Sequence, residues 1–344
     1  MYLQRPSPST LYRIITLILI YLHRNQGAEK TIKMCLFVVI LFLVAAASSL
    51  LASGFSSSSF NTNMTPTNLL RRREFLSSSI GIITTSQQHP QPANAAIRDP
   101  KTGILLPSIG EIEASIPQTW DDESGDTVFT PSSFSRLDSS DDKVFYAEPR
   151  FVEHVDSQAV DSMTSYISNR LIQSGDSILD LCSSWTSHIA PTKKIQLKRV
   201  AGLGMNAKEL EANTSLTEWI VQDLNENTNV KLPYESESFN VVLCQLSIDY
   251  LIHPLEVMRE VSRVLQPRGK VAILISNRLF LSKAVGLWTG SDDIEHCYTV
   301  GSYLHYCGGG FVDIKAEDLS TRTKSGKEHL IVGDPLYVIT AIKA

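Results

Sequence analysis

The chain has 344 residues, 43% of them hydrophobic and 19% charged, with a formal net charge of −5. The average hides a basic head on an acidic body: residues 1–95 hold eight basic side chains and two acids, leaving 23 basic against 34 acidic residues from Ala96 onward. An acidic body excludes nucleic-acid backbones as the main partner, since phosphate contacts need a basic surface.

Two apolar runs open the chain, at 11–22 and 35–47. Each is shorter than the roughly 20 apolar residues of a spanning helix, so both read as signal-type apolar regions, and no stable membrane span is expected in the mature chain. Two such runs in tandem leave Met34 open as an alternative start. Ala52-Ser53-Gly54-Phe55 follows, then a stretch to Arg73 rich in Ser, Thr and Asn, without an acid, closing on three arginines. That is transit-peptide composition. The order of the two segments resembles the bipartite plastid presequences of algae with complex plastids. Arg71-Arg72-Arg73, the weakly apolar 77–85 and Ala93-Asn94-Ala95 also resemble a twin-arginine signal for transfer into the thylakoid lumen. The other reading gives those arginines to the transit peptide. Residues 1–95 are thus expected to be a targeting region with a plastid address, and the thylakoid lumen as its further destination. The Pro-, Ser- and Asp-rich residues 96–150 are expected to form an extended arm packed on the domain behind it.

From 151 to 344 helices alternate with apolar strands, the pattern of an α/β sheet. Val160, Met163, Ile167 and Leu171 share a helical face. Strands are expected at 177–182, 199–205, 219–224, 239–245, 270–276, 311–319 and 336–342. Asn206 is a good N-cap for a helix in which Glu209 can reach back to it. Pro254 opens a further helix with Val257, Val261, Val264 and Leu265 as its stripe, and Pro267 and Gly269 stop it. A helical region runs on to His305. Seven strands of this kind predict a Rossmann-like, doubly wound sheet with helices on both faces, whose ligand sits at the carboxyl ends of the central strands.

Particular residues sharpen this expectation. The stretch 232–242 (LPYESESFNVV) and the stretch 259–270 (REVSRVLQPRGK) resemble, in order, two segments of the type 11 methyltransferases, relatives of the ubiquinone- and menaquinone-pathway C-methyltransferases. The first-loop motif 179–188 (LDLCSSWTSH), the second-strand end 202–206 (GLGMN) and the tail motif 301–306 (GSYLHY) resemble a plastid methyltransferase-like subgroup of plants and algae. The resemblance implies S-adenosylmethionine as cofactor. By alignment on Asp180, Cys182 and Ser184 hold the first two glycine positions of the superfamily's loop, with Ser183 between them and Trp185 after. Glycine is favoured there because it allows positive φ and close approach. Gly204, Met205 and Asn206 stand where the second strand meets the ribose, although an acid is usual at its end. Asp223 and Leu224 stand where the adenine is met, and Gln245 ends the fourth strand. Asp223 also reads as a turn residue in Asp-Leu-Asn.

On the rim where substrates approach, Asp249 and Tyr250 are an acid–tyrosine pair able to orient or deprotonate an acceptor. His305 caps the pocket from the following helix in the same reading, together with His296, Tyr303 and Tyr306, and Arg278 is placed to hold an anionic substrate. Each also has a plainer role as a packing or capping residue. No CxxC, HExxH or GxxxxGK motif occurs, so metal and nucleoside-triphosphate chemistry have no support, and no metal site is expected. Cys182 and Cys244 are expected to lie close, as two buried thiols more readily than as a disulfide. Two functions follow. One is an S-adenosylmethionine-dependent methyltransferase acting on a small plastid molecule or a protein side chain. The other is a non-catalytic protein on the same fold, an assembly or regulatory factor.

Overall fold

The computed structural model describes residues 98, 99, 101, 103–120, 129–190, 195–325 and 328–344. The targeting region expected at 1–95 lies outside them.

Among the described residues nine strands form: β1 (Ser177–Leu181), β2 (Arg199–Gly204), β3 (Glu218–Val221), β4 (Phe239–Gln245), β5 (Leu265–Ile275), β6 (Phe311–Asp318), β7 (Arg322–Ser325), β8 (Glu328–Ile331) and β9 (Tyr337–Lys343). Seven of them make one sheet in the order β3-β2-β1-β4-β5-β9-β6, while β7 and β8 form a separate two-stranded ribbon. From β3 to β5 all neighbours run parallel, and β9 runs antiparallel to both β5 and β6. The strand order reverses between β1 and β4, so the crevice beyond their carboxyl ends is where this class of sheet takes its ligand.

The strands are apolar runs because both their faces are covered. Leu179, Leu181, Val242, Cys244, Val271 and Ile273 point to one core, and Ile178, Val241, Leu243, Ala272 and Leu274 to the other. Helix α4 (Pro254–Val264) brings Val257, Met258, Val261 and Val264 to the first core, and α5 (Asp293–Tyr306) adds Cys297, Val300, Tyr303 and Leu304. The second core is covered by α2 (Ser157–Tyr166) and a π-helical turn (Ile167–Leu171) through Met163, Tyr166 and Ile167. The ends follow local chemistry. Asp156 caps α2 through Ala159 N, Pro254 takes the first turn of α4, and Asp292 and Glu295 make a capping box on α5. The Rossmann-like architecture with helices on both faces is therefore present.

Four local features differ from expectation. β5 begins at Leu265, ahead of the expected 270, and takes Leu265 out of the helical stripe. The third strand ends at Val221, because residues 222–225 turn into the pocket. No helix links β1 to β2 among the described residues of 182–198. There Ser183, Ser184 and Ser187 spend their hydroxyls on Asp180 and Glu209 in place of a helical ladder. The ribbon of β7 and β8 was not expected because it carries no apolar run.

The arm pairs with the loop after β5: Gly286 N donates to Ser135 O at 2.8 Å, Leu287 N to Ser133 O at 2.9 Å, and Asp138 N to Ser282 O at 2.7 Å. Ile112 is buried in the main core. The short helix α1 (Asp142–Phe145) contributes Asp142 to a buried ionic cluster, in which Arg136 Nη1 lies at 2.8 Å and Lys283 Nζ at 3.1 Å from its carboxylate. Asn225 Nδ2 also donates to it at 2.8 Å. Burial pushes the Asp142 carboxyl up, but Arg136 and Asn225, with Lys283, outweigh that and hold it below its usual range. No described helix is long and apolar enough to cross a membrane.

Candidate active site

A pocket opens across the carboxyl ends of β1, β2, β3 and β4, roofed by residues 142–154, the end of the arm and the residues just behind it, and by Phe280 after β5. The β1 loop forms its floor. Cys182 adopts φ +57°, the left-handed backbone that a glycine would take without strain. Its side chain thereby packs on the same core as Cys244, and contact with Cys182 together with burial pushes the Cys244 thiol far up. Both remain free thiols. Ser183 N donates to Leu203 O at 2.8 Å, which brings the loop so close to β2 that a Cβ on Gly204 would sit 2.1 Å from Ser183 O. Gly204 is therefore required by the crossing of two backbones.

Asp180 organises this floor. It is buried, and burial drives its carboxyl up. Hydrogen bonds from Ser183 Oγ (2.6 Å), Ser187 Oγ (2.7 Å) and Gln245 Nε2 (3.0 Å) oppose that drive. Gln245 Nε2 also donates to Ser187 O at 3.2 Å, so its oxygen is left to accept from His188 Nδ1 at 2.8 Å. His188 Nε2 in turn meets Glu153 Oε2 at 3.1 Å. A polar chain thus runs from the sheet to the arm. A second tie is Ser184 Oγ to Glu209 Oε2 at 2.6 Å, with Arg150 N on the other carboxylate oxygen at 2.6 Å. Trp185 does not cross the floor; its Nε1 donates to Val152 O at 3.2 Å and fastens the loop to the arm.

The other end of the pocket lies at β3. Asp223 is half-buried, which raises its carboxyl, while the Asn225 amide at 2.8 Å on Oδ1 opposes the rise. Leu224 is buried beside it, and Leu203 and Met205 complete that wall. On the β4 side Tyr250 lines the pocket, its hydroxyl accepting from Phe280 N at 2.8 Å. Burial, reinforced by Asp249, pushes the Tyr250 phenol well up. Asp249 lies fully buried behind the wall, and its carboxyl is pushed up to about 8 by burial. At neutral pH both groups hold their protons and do not act as bases, and of the two only Tyr250 faces the pocket.

The residues singled out in the sequence thus fall into two groups. Asp180, Cys182, Ser183, Ser184, Gly204, Met205, Asp223, Leu224, Gln245 and Tyr250 all line one pocket. Asn206, Asp249 and His305 do not. Asn206 spends Oδ1 on the Lys208 and Glu209 amides, capping α3 (Ala207–Ala212), and Nδ2 on Tyr146 O and Ala147 O. Its capping role wins over a ribose contact. His305 stacks on Trp120 of the arm at 4.7 Å. Arg278 is held by Asp99 and Asp334, and His296 stacks on Trp288 at 4.2 Å. Tyr303 is buried against Phe129 and Phe134, and Tyr306 meets Trp120 edge-on. The sequence reading missed Tyr146 and Arg150 at the end of the arm, Glu153 and His154 just behind it, and Phe280. The density of aromatic and charged residues at 145–154 was their only signal.

Residues 183–273 match the family described as a methyltransferase domain. A comparison with curated proteins found no match. Among solved structures, the chain is similar to a putative methyltransferase seen in complex with the Haloferax volcanii Trm112 activator. The identity is 13% and the TM-score 0.40, covering 54% of this chain and 90% of that one. It is similar to a putative S-adenosylmethionine-dependent methyltransferase from Listeria monocytogenes, with 14% identity, TM-score 0.39, and 55% and 100% of the two chains covered. It is also similar to phosphoethanolamine N-methyltransferase 2 of Haemonchus contortus, with 14% identity, TM-score 0.36, and 54% and 52% covered.

Proposed function

We propose that the pocket binds S-adenosylmethionine and that the chain transfers its methyl group to a small acceptor inside a plastid. The observation that carries this reading is the position of the pocket: it spans the tips of β1 to β4 at the reversal of strand order, and its lining from Ser183 to Leu251 falls in the stretch that matches a methyltransferase domain. The residues fit the cofactor. Cys182 keeps the glycine-type backbone at the loop, Leu203 and Leu224 offer apolar walls, and Asp223 offers a half-buried acceptor for an adenine amine. When bound, the cofactor supplies an electrophilic methyl on a sulfonium. This chain's own contribution is then mainly to hold the acceptor in line and to exclude water under the arm.

Titration calorimetry of S-adenosylmethionine into the purified chain tests the reading, with Asp223→Ala expected to weaken binding roughly tenfold, as the loss of a charge-assisted hydrogen bond does. If neither S-adenosylmethionine nor S-adenosylhomocysteine binds, the reading fails. A non-catalytic role is the second reading, and Asn206 favours it. The acid usual at the end of β2 is missing, and the asparagine near that place is consumed by capping. The plastid address rests on the composition of residues 1–95. A fluorescent protein fused behind them is expected to enter the plastid of an alga with complex plastids; retention in the cytosol would refute it.

A further inference from the structure

The lining of the pocket contains five carboxylates, those of Asp142, Glu153, Asp180, Glu209 and Asp223, and a single Lys or Arg side chain, that of Arg150. Opposite charges so close would ordinarily pair, yet these do not. Asp142 is taken by Arg136 and Lys283, Glu153 by His188, and Asp180 by Ser183, Ser187 and Gln245. Asp223 accepts from Asn225, and Glu209 accepts from the main-chain nitrogen of Arg150 and from Ser184. The guanidinium itself gives Nη2 to Phe145 O at 2.9 Å and otherwise meets rings, with Cζ 4.5 Å from the centroid of Phe145, 5.4 Å from Phe280 and 5.9 Å from Tyr146. Among the described residues no carboxylate reaches it. A guanidinium has five N–H donors in a planar fork shaped for a carboxylate, and stacking on rings leaves the edge of that fork free to use them.

The main-chain nitrogen of Arg150 is held by Glu209 after β2, but its guanidinium reaches toward the β4–β5 side of the pocket, where it faces Phe280; Phe280 follows β5 and contacts Tyr250 after β4, with ring centroids 6.0 Å apart. Asp223 and Leu224 lie at the tip of β3, across the sheet's order from there. His154 packs edge-on to Phe280 at 5.2 Å and is kept neutral by burial and by Arg150, so it does not compete as a cation.

We propose that Arg150 is a carboxylate anchor, which takes the carboxylate of an organic acid seated in this pocket beside the rings of Phe145, Tyr146 and Phe280. This deepens the reading of the pocket as a nucleoside site and rests on it. The carboxylate has two sources, the amino-acid end of the cofactor or an acidic methyl acceptor. The unpaired fork in an otherwise acidic lining is common to both.

Three ligands titrated into the full chain and into Arg150→Gln separate them. S-Adenosylhomocysteine carries the amino-acid carboxylate, and 5′-methylthioadenosine keeps the nucleoside without it. Benzoate, added to protein saturated with either nucleoside and to protein with none, stands for an aryl acid. Loss of roughly tenfold or more for S-adenosylhomocysteine, with 5′-methylthioadenosine unchanged, makes the anchor the cofactor's. Unchanged S-adenosylhomocysteine with benzoate binding lost makes it the acceptor's. Arg150→Lys, which keeps the charge without the fork, is expected to recover part of either loss. Equal weakening of all three ligands would reduce Arg150 to a prop for the arm, and no change in any would remove it from binding; either result overturns the proposal. If the wild-type chain binds neither nucleoside, the proposed function falls by itself. Benzoate binding to the unloaded chain, lost in Arg150→Gln, would still uphold the anchor, and its absence would overturn that too. The thermal midpoint of each variant checks that the arm stays folded.

Discussion

Asp142→Ala is expected to destabilise the chain by about 3–5 kcal/mol, because it leaves the buried Arg136 without a carboxylate and takes one of two from the buried Lys283. The side chains involved are 7% (Arg136), 4% (Asp142) and 0% (Lys283) exposed, so water cannot substitute for the lost partner. Lys283 would keep Ser140 O at 2.7 Å and Asp138 Oδ2 at 3.2 Å, which limits the damage on its side. Arg136 has no such second carboxylate among the described residues. The loss falls on the pocket as well, since α1 leads directly into Tyr146 and Arg150. Since the folded carboxyl is held below its usual range, its contribution is present above the unfolded pKa and fades as the pH falls through the folded one. Thermal melts of the two proteins at neutral pH and in acid measure this: the gap between wild type and Asp142→Ala is expected to narrow in acid. A variant that melts within a degree of wild type at neutral pH would show that the cluster contributes nothing.

Asp249→Asn is expected to act in the opposite direction. Its carboxyl is pushed up to about 8, against roughly 3.9 in an unfolded chain. Between those values the folded protein keeps a proton that the unfolded chain releases. Stability from this group is therefore complete below the unfolded pKa and declines as the pH rises toward 8. Oδ2 of Asp249 has no hydrogen-bond partner, and the hydrogen bonds from its own backbone and from Tyr250 do not offset the cost of burying the ionised form. A neutral amide of the same shape removes the penalty, and a gain of about 2–4 kcal/mol at pH 7 is expected, less whatever the new N–H groups cost if unpaired. Denaturant melts from pH 5 to 9 are expected to show a flatter profile for the variant. A wild-type profile that rises toward pH 8 would contradict the assignment. The same burial limits the chemistry here: Tyr250 can orient an acceptor from the pocket wall and Asp249 stands behind it, but both hold their protons at neutral pH, so an acceptor that must lose a proton needs its base elsewhere.

The sheet was legible in the sequence because its strands are buried on both faces. A run such as Val241, Val242, Leu243 and Cys244 has few other places to go. The floor was legible for a related reason, since Asp180, Gly204, Asp223 and Gln245 sit at strand ends, which a strand assignment locates at once. Asn206 carried two signals, and the local one prevailed: a cap is satisfied by amides two and three residues away, whatever the rest of the chain does. What could not be read were partners far apart in sequence. Arg278 suits an anionic substrate until Asp99, 179 positions earlier, occupies it, and His305 suits a cap until Trp120 stacks on it. The arm has no periodicity to announce that it turns back over the strand tips, so the whole roof of the pocket stayed hidden. The ribbon of β7 and β8 escaped for the same want of pattern, being mostly polar.

The central claim is that one nucleoside site lies across the tips of β1 to β4 beneath the arm, and amide hydrogen exchange with and without S-adenosylhomocysteine tests it most directly. The account predicts slower exchange at residues 182–188, 203–206, 222–225 and 245–251, and in the roof at 142–154. Unaltered exchange in all of these segments at saturating ligand, or protection confined to other parts of the domain, would contradict it.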